Sequence, residues 1–310
     1  MAIDESSLAP EPNVRFASVT LSRRLTARRT APRPAPAVPL SMSAMHAESS
    51  PAAAGIRPGL AVVITGGTRG IGAGLARAFL QAGAEVLVCG RNRPAGPAEF
   101  PSAGGRAAEF CQADVRDPEQ VASLVATATE LFGRLDLVIS NAGGSPEVAA
   151  AAASARFHRS VIELNLLAPL LVAQSANAVM QTQDGGGCII MISSVSGLRP
   201  SPGTAAYGAA KAGLHHLVTS LAIEWAPAVR LNCVAPGFVD TAGASGHYGN
   251  ADGTAAVRRT VPLQRLATPD DVAGACLFLA SPQASYISGS TLVLHGGGEP
   301  PAFLAARTDG

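Results

Sequence analysis

The stretch Thr65-Gly66-Gly67-Thr68-Arg69-Gly70-Ile71-Gly72 stands between an apolar run, 60–65 (LAVVIT), and a segment, 69–82, in which Ile71, Leu75 and Phe79 recur every four residues. That recurrence is the period of a helix with one buried stripe, and a short Val- and Ile-rich run reads as a buried strand. A glycine-rich turn joining strand to helix narrows what the chain can become. Gly66 allows a tight turn. Gly70 and Gly72 remove side chains, so that backbone N–H groups and the helix N-terminus can approach a pyrophosphate. The spacing is Gly-x-x-x-Gly-x-Gly, not Gly-x-Gly-x-x-Gly.

The alternation continues to the end of the chain. Strands are expected at 60–65, 85–89, 109–113, 135–140, 187–192, 229–235 and 290–294, and helices at 69–82, 118–132, 154–181, 204–225 and 269–280. Pro118 opens the second helix and Gly133 closes it. Seven strands alternating with helices imply an α/β fold, a doubly wound parallel sheet in a single domain over 59–298, with ligands bound beyond the carboxyl ends of the strands. Residues 1–58 are rich in Pro, Ala, Ser and Arg and are read as a disordered extension. They have no apolar core of a secretory signal, and Asp4, Glu5 and Glu11 oppose a transit peptide. Residues 242–262 read as a polar, Gly-rich lid loop carrying His247 and Tyr248, and 299–310 as a C-terminal tail.

Composition excludes several classes of function. With 47% hydrophobic and 15% charged residues the chain buries a large core. A net charge of +1 provides no field for nucleic acid, although Arg23, Arg24, Arg28 and Arg29 make a local basic patch. The longest apolar runs are strand-length, which argues against a membrane partner. The five cysteines include no CxxC pair and read as reduced, buried thiols of a cytoplasmic protein. The histidines lack metal-ligand spacing, so no metal is expected.

A dinucleotide on the turn would meet Gly66, Thr68, Arg69, Gly70, Ile71 and Gly72. Its 2′ position is read at the end of the second strand, where an acidic residue would accept from the ribose hydroxyls of NAD. Gly90-Arg91-Asn92 stands there, with no carboxylate. Arg91 and Arg69 suit a 2′-phosphate, which points to NADP with NAD as the alternative. Asp114 and Val115 follow the third strand and would flank the adenine. Asn141, Ala142 and Gly143 form a second small-residue turn beside the cofactor.

Tyr207 and Lys211 lie four apart on one helix, hence on one face. A free tyrosine has a pKa of about 10. An ammonium nearby favours the phenolate and can lower that pKa by roughly one to three. Tyr207 then becomes an acid/base for a carbonyl or alcohol near neutral pH. Ser193-Ser194 end the fifth strand, where a hydroxyl can hydrogen-bond a substrate oxygen; Ser193 and Ser196 read as turn or capping residues. Asn165 lies in the long helix with Pro169 at i+4. Proline has no N–H, so the Asn165 carbonyl loses its helical partner. A water linking it to Lys211 would carry protons to solvent.

TGGTRGIG (65–72), NAG (141–143), Asn165, Ser194 with Tyr207-x-x-x-Lys211 and PGFVDT (236–241) occur together in this order, and 59–298 resembles the single-domain short-chain dehydrogenases/reductases. The resemblance implies a Rossmann-type sheet of order 3-2-1-4-5-6-7, a catalytic tetrad of Asn165, Ser194, Tyr207 and Lys211, and a nicotinamide cofactor. It selects Ser194, which lies thirteen before the tyrosine. It puts PGFVDT at the cofactor, through Pro236 and Gly237 and with Val239 and Thr241 at the nicotinamide end, and it implies a homotetramer or dimer. The implied activity is NADP(H)-dependent interconversion of a ketone and a secondary alcohol. It is similar to that of 3-oxoacyl-acyl-carrier reductases and of alcohol or hydroxysteroid dehydrogenases, acting on a small molecule. Enoyl reductases of the superfamily separate Tyr and Lys by six residues. Ser140 stands where the family has Asn, and His295-Gly296-Gly297 where Asp-Gly-Gly is common. The alternative is a catalytically idle nucleotide-binding protein of this fold, which would lack a tetrad member.

Overall fold

Strand β1 (Ala61–Thr65) is buried at every position, as suits a run of Ala, Val and Ile at the centre of a parallel sheet covered on both faces. This computed structural model describes residues 55–96, 100–241 and 251–301, all within the second of two units into which the chain divides, Glu48–Gly310. After β1 come α1 (Gly70–Gln81), β2 (Glu85–Gly90), an antiparallel hairpin of β3 (Ser102–Ala103) and β4 (Arg106–Ala107), β5 (Glu109–Gln112), α2 (Pro118–Phe132) and β6 (Leu137–Ser140). Helix α3 (Ala155–Ile162), a π turn (Glu163–Leu167) and α4 (Ala168–Met180) follow. They lead to β7 (Gly187–Ile192), α5 (Ala205–Glu224), β8 (Val229–Pro236), α6 (Ala251–Thr260), α7 (Pro269–Ala280) and β9 (Thr291–Leu294).

The seven-stranded sheet has the order β5-β2-β1-β6-β7-β8-β9, with every pairing parallel. With the hairpin set aside this is the 3-2-1-4-5-6-7 order, and the winding reverses between β1 and β6. Leu75 and Phe79 of α1 pack with Val272 and Ala273 of α7 in the core on one face of the sheet. Leu124 of α2, Val172 and Ala176 of α4, and Leu214 and Val218 of α5 fill the core on the other. Each such Leu or Phe contributes about 1.5–3 kcal/mol by leaving water. The buried Asp136 carboxylate accepts from Arg57, Arg134 and the Ala61 N–H, which ties the entry of β1 to β6.

Local chemistry sets the helix ends. The Asp117 side chain accepts from the N–H groups of Glu119 and Gln120 at the start of α2, and Gly133 ends it at φ 72°. The long helix expected over 154–181 is present but divided. At the π turn the Ala168 N–H reaches back to the Glu163 carbonyl, and Pro169 supplies no N–H one residue later. The 155–180 segment is long and apolar enough to cross a membrane by those two measures alone. Here its Val172, Ala173, Ala176 and Met180 are buried in the helix–sheet core.

Two features differ from expectation. Residues 251–260, read as part of a loop, form α6. The β3–β4 hairpin turns through Gly104 and Gly105, both at positive φ. His247 and Tyr248, the extension up to residue 54 and the tail beyond 301 lie outside the described residues.

Candidate active site

The glycine-rich turn leaves β1 at Gly66 (φ 63°) and enters α1 at Gly70 (φ 54°), both in the left-handed region that glycine tolerates. A Cβ on Gly72 would lie 2.2 Å from the Gly66 carbonyl oxygen and 2.6 Å from Asn141 Nδ2. A Cβ on Gly70 would meet nothing nearer than Thr241 at 3.8 Å, because that glycine faces open space. The N-cap residue of α1, Arg69, makes no side-chain cap. The first N–H groups of α1 therefore remain for an anion, at the positive end of the helix dipole.

The second small-residue turn is stitched to the first. Thr65 Oγ1 accepts from the N–H groups of Asn141 and Ala142, both at 3.0 Å, and Asn141 Nδ2 donates to the carbonyls of Thr65 and Gly66. Thr65 is fully buried and does this work without lining the cavity. Sequence reasoning included it in the motif but gave it no role.

Between these turns lies a cavity of about 390 Å³, at the carboxyl ends of β1, β2, β5, β6 and β7. Its wall brings together Gly66, Thr68, Arg69, Gly70, Ile71 and Gly72 of the first turn, Arg91, Asp114 and Val115 toward one end, and Asn141, Ala142 and Gly143 across from it. Tyr207, Lys211 and Thr241 close the other side. These are the residues expected to meet a dinucleotide. The glycine positions fit such a group, since side chains there would fill the cradle or collide with its backbone. Pro236, Gly237 and Val239 stand off this wall. Pro236 is buried at the end of β8, the Gly237 N–H bonds the Leu294 carbonyl, and Val239 is buried and bridges Ala267. Among the further residues on the wall of this cavity are Cys89 and Arg116. Cys89 lines it with a thiol that burial pushes up to about 12. Arg116 also lines it and forks onto Asp114, with Nε to Oδ1 at 3.0 Å and an Nη to Oδ2 at 2.5 Å. An arginine two residues past Asp114 gave no periodic signal.

Helix α5 presents Tyr207 and Lys211 on one face. Lys211 is 3% exposed, and its ammonium lies 5.5 Å from the centroid of the Tyr207 ring and donates to the Ile192 carbonyl at 2.8 Å. Burial lowers its pKa to about 8. The two serines after β7 divide their tasks. Ser193 donates to the Lys211 carbonyl and so braces β7 against α5. Ser194 Oγ accepts from the Ser196 N–H as N-cap of a short 3-10 turn, 195–197, which leaves its own proton for another acceptor. Asn165 is fully buried in the π turn. Its side chain binds Gly144 at both N–H and carbonyl, and also the Val161 carbonyl. Asn165 therefore supports the turn beside Lys211 and does not reach into the cavity.

A second cavity of about 640 Å³ opens next to Val195 and Gly237, walled by Leu198, Phe238, Val261 and Val293 with Arg199, His295 and Glu299 at its polar edge. Its wall draws on segments after β7, β8 and α6, on β9 itself and on the residues that follow it.

Comparison with known proteins agrees with this arrangement. Residues 66–299 match the family described as Enoyl-(Acyl carrier protein) reductase. The chain is 37% identical to a 3-oxoacyl-(acyl-carrier-protein) reductase of Chlamydia muridarum, over 76% of this chain and 96% of the relative. It is 36% identical to the 3beta-hydroxysteroid dehydrogenase 1 of Eggerthella lenta, over 77% and 93%. The crystal structure of a short-chain alcohol dehydrogenase of Sinorhizobium meliloti 1021, described as putative in its own name, superposes with a TM-score of 0.72 at 32% identity, covering 78% of this chain and 96% of that one. With its parallel sheet, glycine turn and Tyr207–Lys211 pair, the chain belongs to the short-chain dehydrogenase/reductase family and is an NAD(P)-dependent oxidoreductase acting on CH–OH groups.

Proposed function

We propose that this chain interconverts a ketone and a secondary alcohol with NADP(H), and that Tyr207 is its acid/base. The observation that carries the reading is the buried Lys211 ammonium 5.5 Å from the Tyr207 ring, on the wall of a cavity shaped for a dinucleotide. A nicotinamide held there supplies or accepts the hydride. In the reducing direction the Tyr207 O–H gives its proton to the carbonyl oxygen, and in the oxidising direction the phenolate takes it back. A cation beside the ring favours the phenolate. Ser194 donates to the same substrate oxygen and stabilises the charge that develops on it. The Asn165 main-chain carbonyl, deprived of an i+4 donor by Pro169, is the acceptor for a water that would link Lys211 to solvent.

Preference for NADP is supported by β2, which ends in Gly90 with no carboxylate, and by Arg69 and Arg91 at the cavity edge. The second cavity is large enough for a substrate body of steroid or acyl-chain size, and its apolar wall favours one. The four-residue separation of Tyr207 and Lys211 favours carbonyl over enoyl reduction. The test is a spectrophotometric panel of ketones and secondary alcohols with NADPH and NADH, run beside Tyr207→Phe. Turnover with NADPH that collapses in the variant supports the reading; a variant that matches wild type, or a clear preference for NADH, overturns it.

A further inference from the structure

Asp114 is the one carboxylate on the wall of the nucleotide cavity among the described residues, and it shares that wall with Arg69, Arg91 and Arg116. A bare carboxylate there would repel a phosphate placed at the 2′ position, whereas Arg69 and Arg91 would attract it. Arg116 changes this balance. Its guanidinium grips Asp114 in a fork, and its N–H bonds Asp114 Oδ1 at 3.1 Å.

The fork is held rigidly. The Asp114 N–H donates to Gln120 Oε1, the Asp114 carbonyl accepts from Asp117, and Asp117 caps α2. Arg116 hydrogen-bonds Asp114, and Arg91 adds a further positive field; together they hold the Asp114 carboxyl below the usual range. Glu163, exposed on the π turn, is the other acid whose field Arg116 feels.

We propose that Arg116 is a specificity-determining positioning residue: by neutralising Asp114 it lets the cavity accept a 2′-phosphorylated adenosine, so that cofactor choice depends on an ion pair two residues beyond β5 as well as on the arginines of the first two loops. This rests on the NADP reading above. Arg116 acts here through Asp114, with no contact to the phosphate required.

The test is calorimetric titration of the full, cofactor-free chain with adenosine 2′,5′-bisphosphate and with 5′-AMP. The two ligands differ only in the 2′-phosphate, so their affinity ratio isolates it. Wild type is expected to favour the bisphosphate. In Arg116→Ala that ratio is expected to fall by roughly tenfold, as an uncovered carboxylate faces the phosphate. In the double variant Asp114→Asn/Arg116→Ala it is expected to return toward the wild-type value, which simple damage to the loop would not produce. A ratio unchanged in Arg116→Ala, or a fall that the double variant does not repair, overturns the proposal while leaving the NADP reading intact. A wild type indifferent to the 2′-phosphate overturns the NADP reading and this inference with it.

Discussion

Asn165 grips one residue at both of its backbone polar groups: its Oδ1 accepts the Gly144 N–H at 2.8 Å, and its Nδ2 donates to the Gly144 carbonyl at 2.9 Å. The same Nδ2 also donates to the Val161 carbonyl. One buried amide thus fixes the turn after β6 to the π turn between α3 and α4. A Cβ on the neighbouring Gly143 would come within 2.8 Å of Asn165 Oδ1 and 3.3 Å of Lys211 Nζ, so the clamp and the ammonium share one small space.

Replacing Asn165 by Ala leaves those buried backbone groups unsatisfied. Stability is expected to fall by about 2–4 kcal/mol. Asn165→Asp keeps the acceptor for Gly144 N–H but turns negative oxygen toward two carbonyls, so it should be no better. Urea unfolding followed by circular dichroism measures both; a loss below about 1 kcal/mol for the alanine variant would show that the clamp is dispensable.

Lys211 is held in the folded chain with a pKa of about 8, lowered by burial, against about 10.4 in an unfolded chain. Burying the cation is therefore a penalty that is fully present below pH 8 and is relieved as the pH rises from about 8 to about 10.4. Lys211→Met is expected to abolish turnover yet to be more stable than wild type at pH 7, by on the order of 3 kcal/mol less the lost bond to Ile192. That advantage should shrink steadily toward pH 10. Paired unfolding curves across this range check the sign, and an advantage that grew with pH would contradict it.

Gly72→Ala places a methyl 2.2 Å from the Gly66 carbonyl oxygen, a backbone contact that cannot swing aside. The turn must open, at a stability cost of about 1–3 kcal/mol. Affinity for 5′-AMP and for adenosine 2′,5′-bisphosphate is expected to drop together, by roughly tenfold or more, since both would lose the shaped N-terminus of α1. Equal affinities for variant and wild type would disconnect this turn from nucleotide binding.

Thr268 and Asp271 form a capping box at the start of α7, and Arg265 pairs with Asp271. The hydrogen bond from Arg265 does most to lower the Asp271 carboxyl, to about 2. A lowered carboxylate contributes stability that is present above its unfolded value near 3.9 and is lost as pH falls through about 2. Asp271→Asn is expected to cost about 1 kcal/mol at pH 7, because solvent reaches both partners. The gap to wild type should close between pH 4 and pH 2; a gap that persists at pH 2 would assign the effect to shape alone.

Much of this is legible in the sequence. Helix α2 begins at Pro118 and ends at Phe132 as expected, because a proline compatible with the first turn and a left-handed glycine mark its limits. Strand β7 spans the expected 187–192 because an apolar run between glycine-rich and serine-rich segments has one comfortable place, the sheet interior. Helix α6 was illegible for the opposite reason. Its sequence ADGTAAVRRT carries no apolar stripe to set a period. The fork of Arg116 on Asp114 joins residues two apart in a loop, where no periodicity operates. Pro169 announced that the Asn165 carbonyl loses its helical partner, but the side-chain clamp of Asn165 on Gly144 spans 21 residues and emerges only once β6 and the π turn are side by side.

Cys89 forms part of the floor of the nucleotide cavity, yet burial keeps it protonated far above neutral pH. Alkylation and oxidation proceed through the sulfur anion. Cys188, Cys233 and Cys276 are likewise buried and raised, whereas Cys111 is half-exposed. Iodoacetamide or peroxide should therefore mark Cys111 first and leave the nucleotide chamber chemically untouched. The cleft is built to house a redox reaction while its own sulfur takes no part in one.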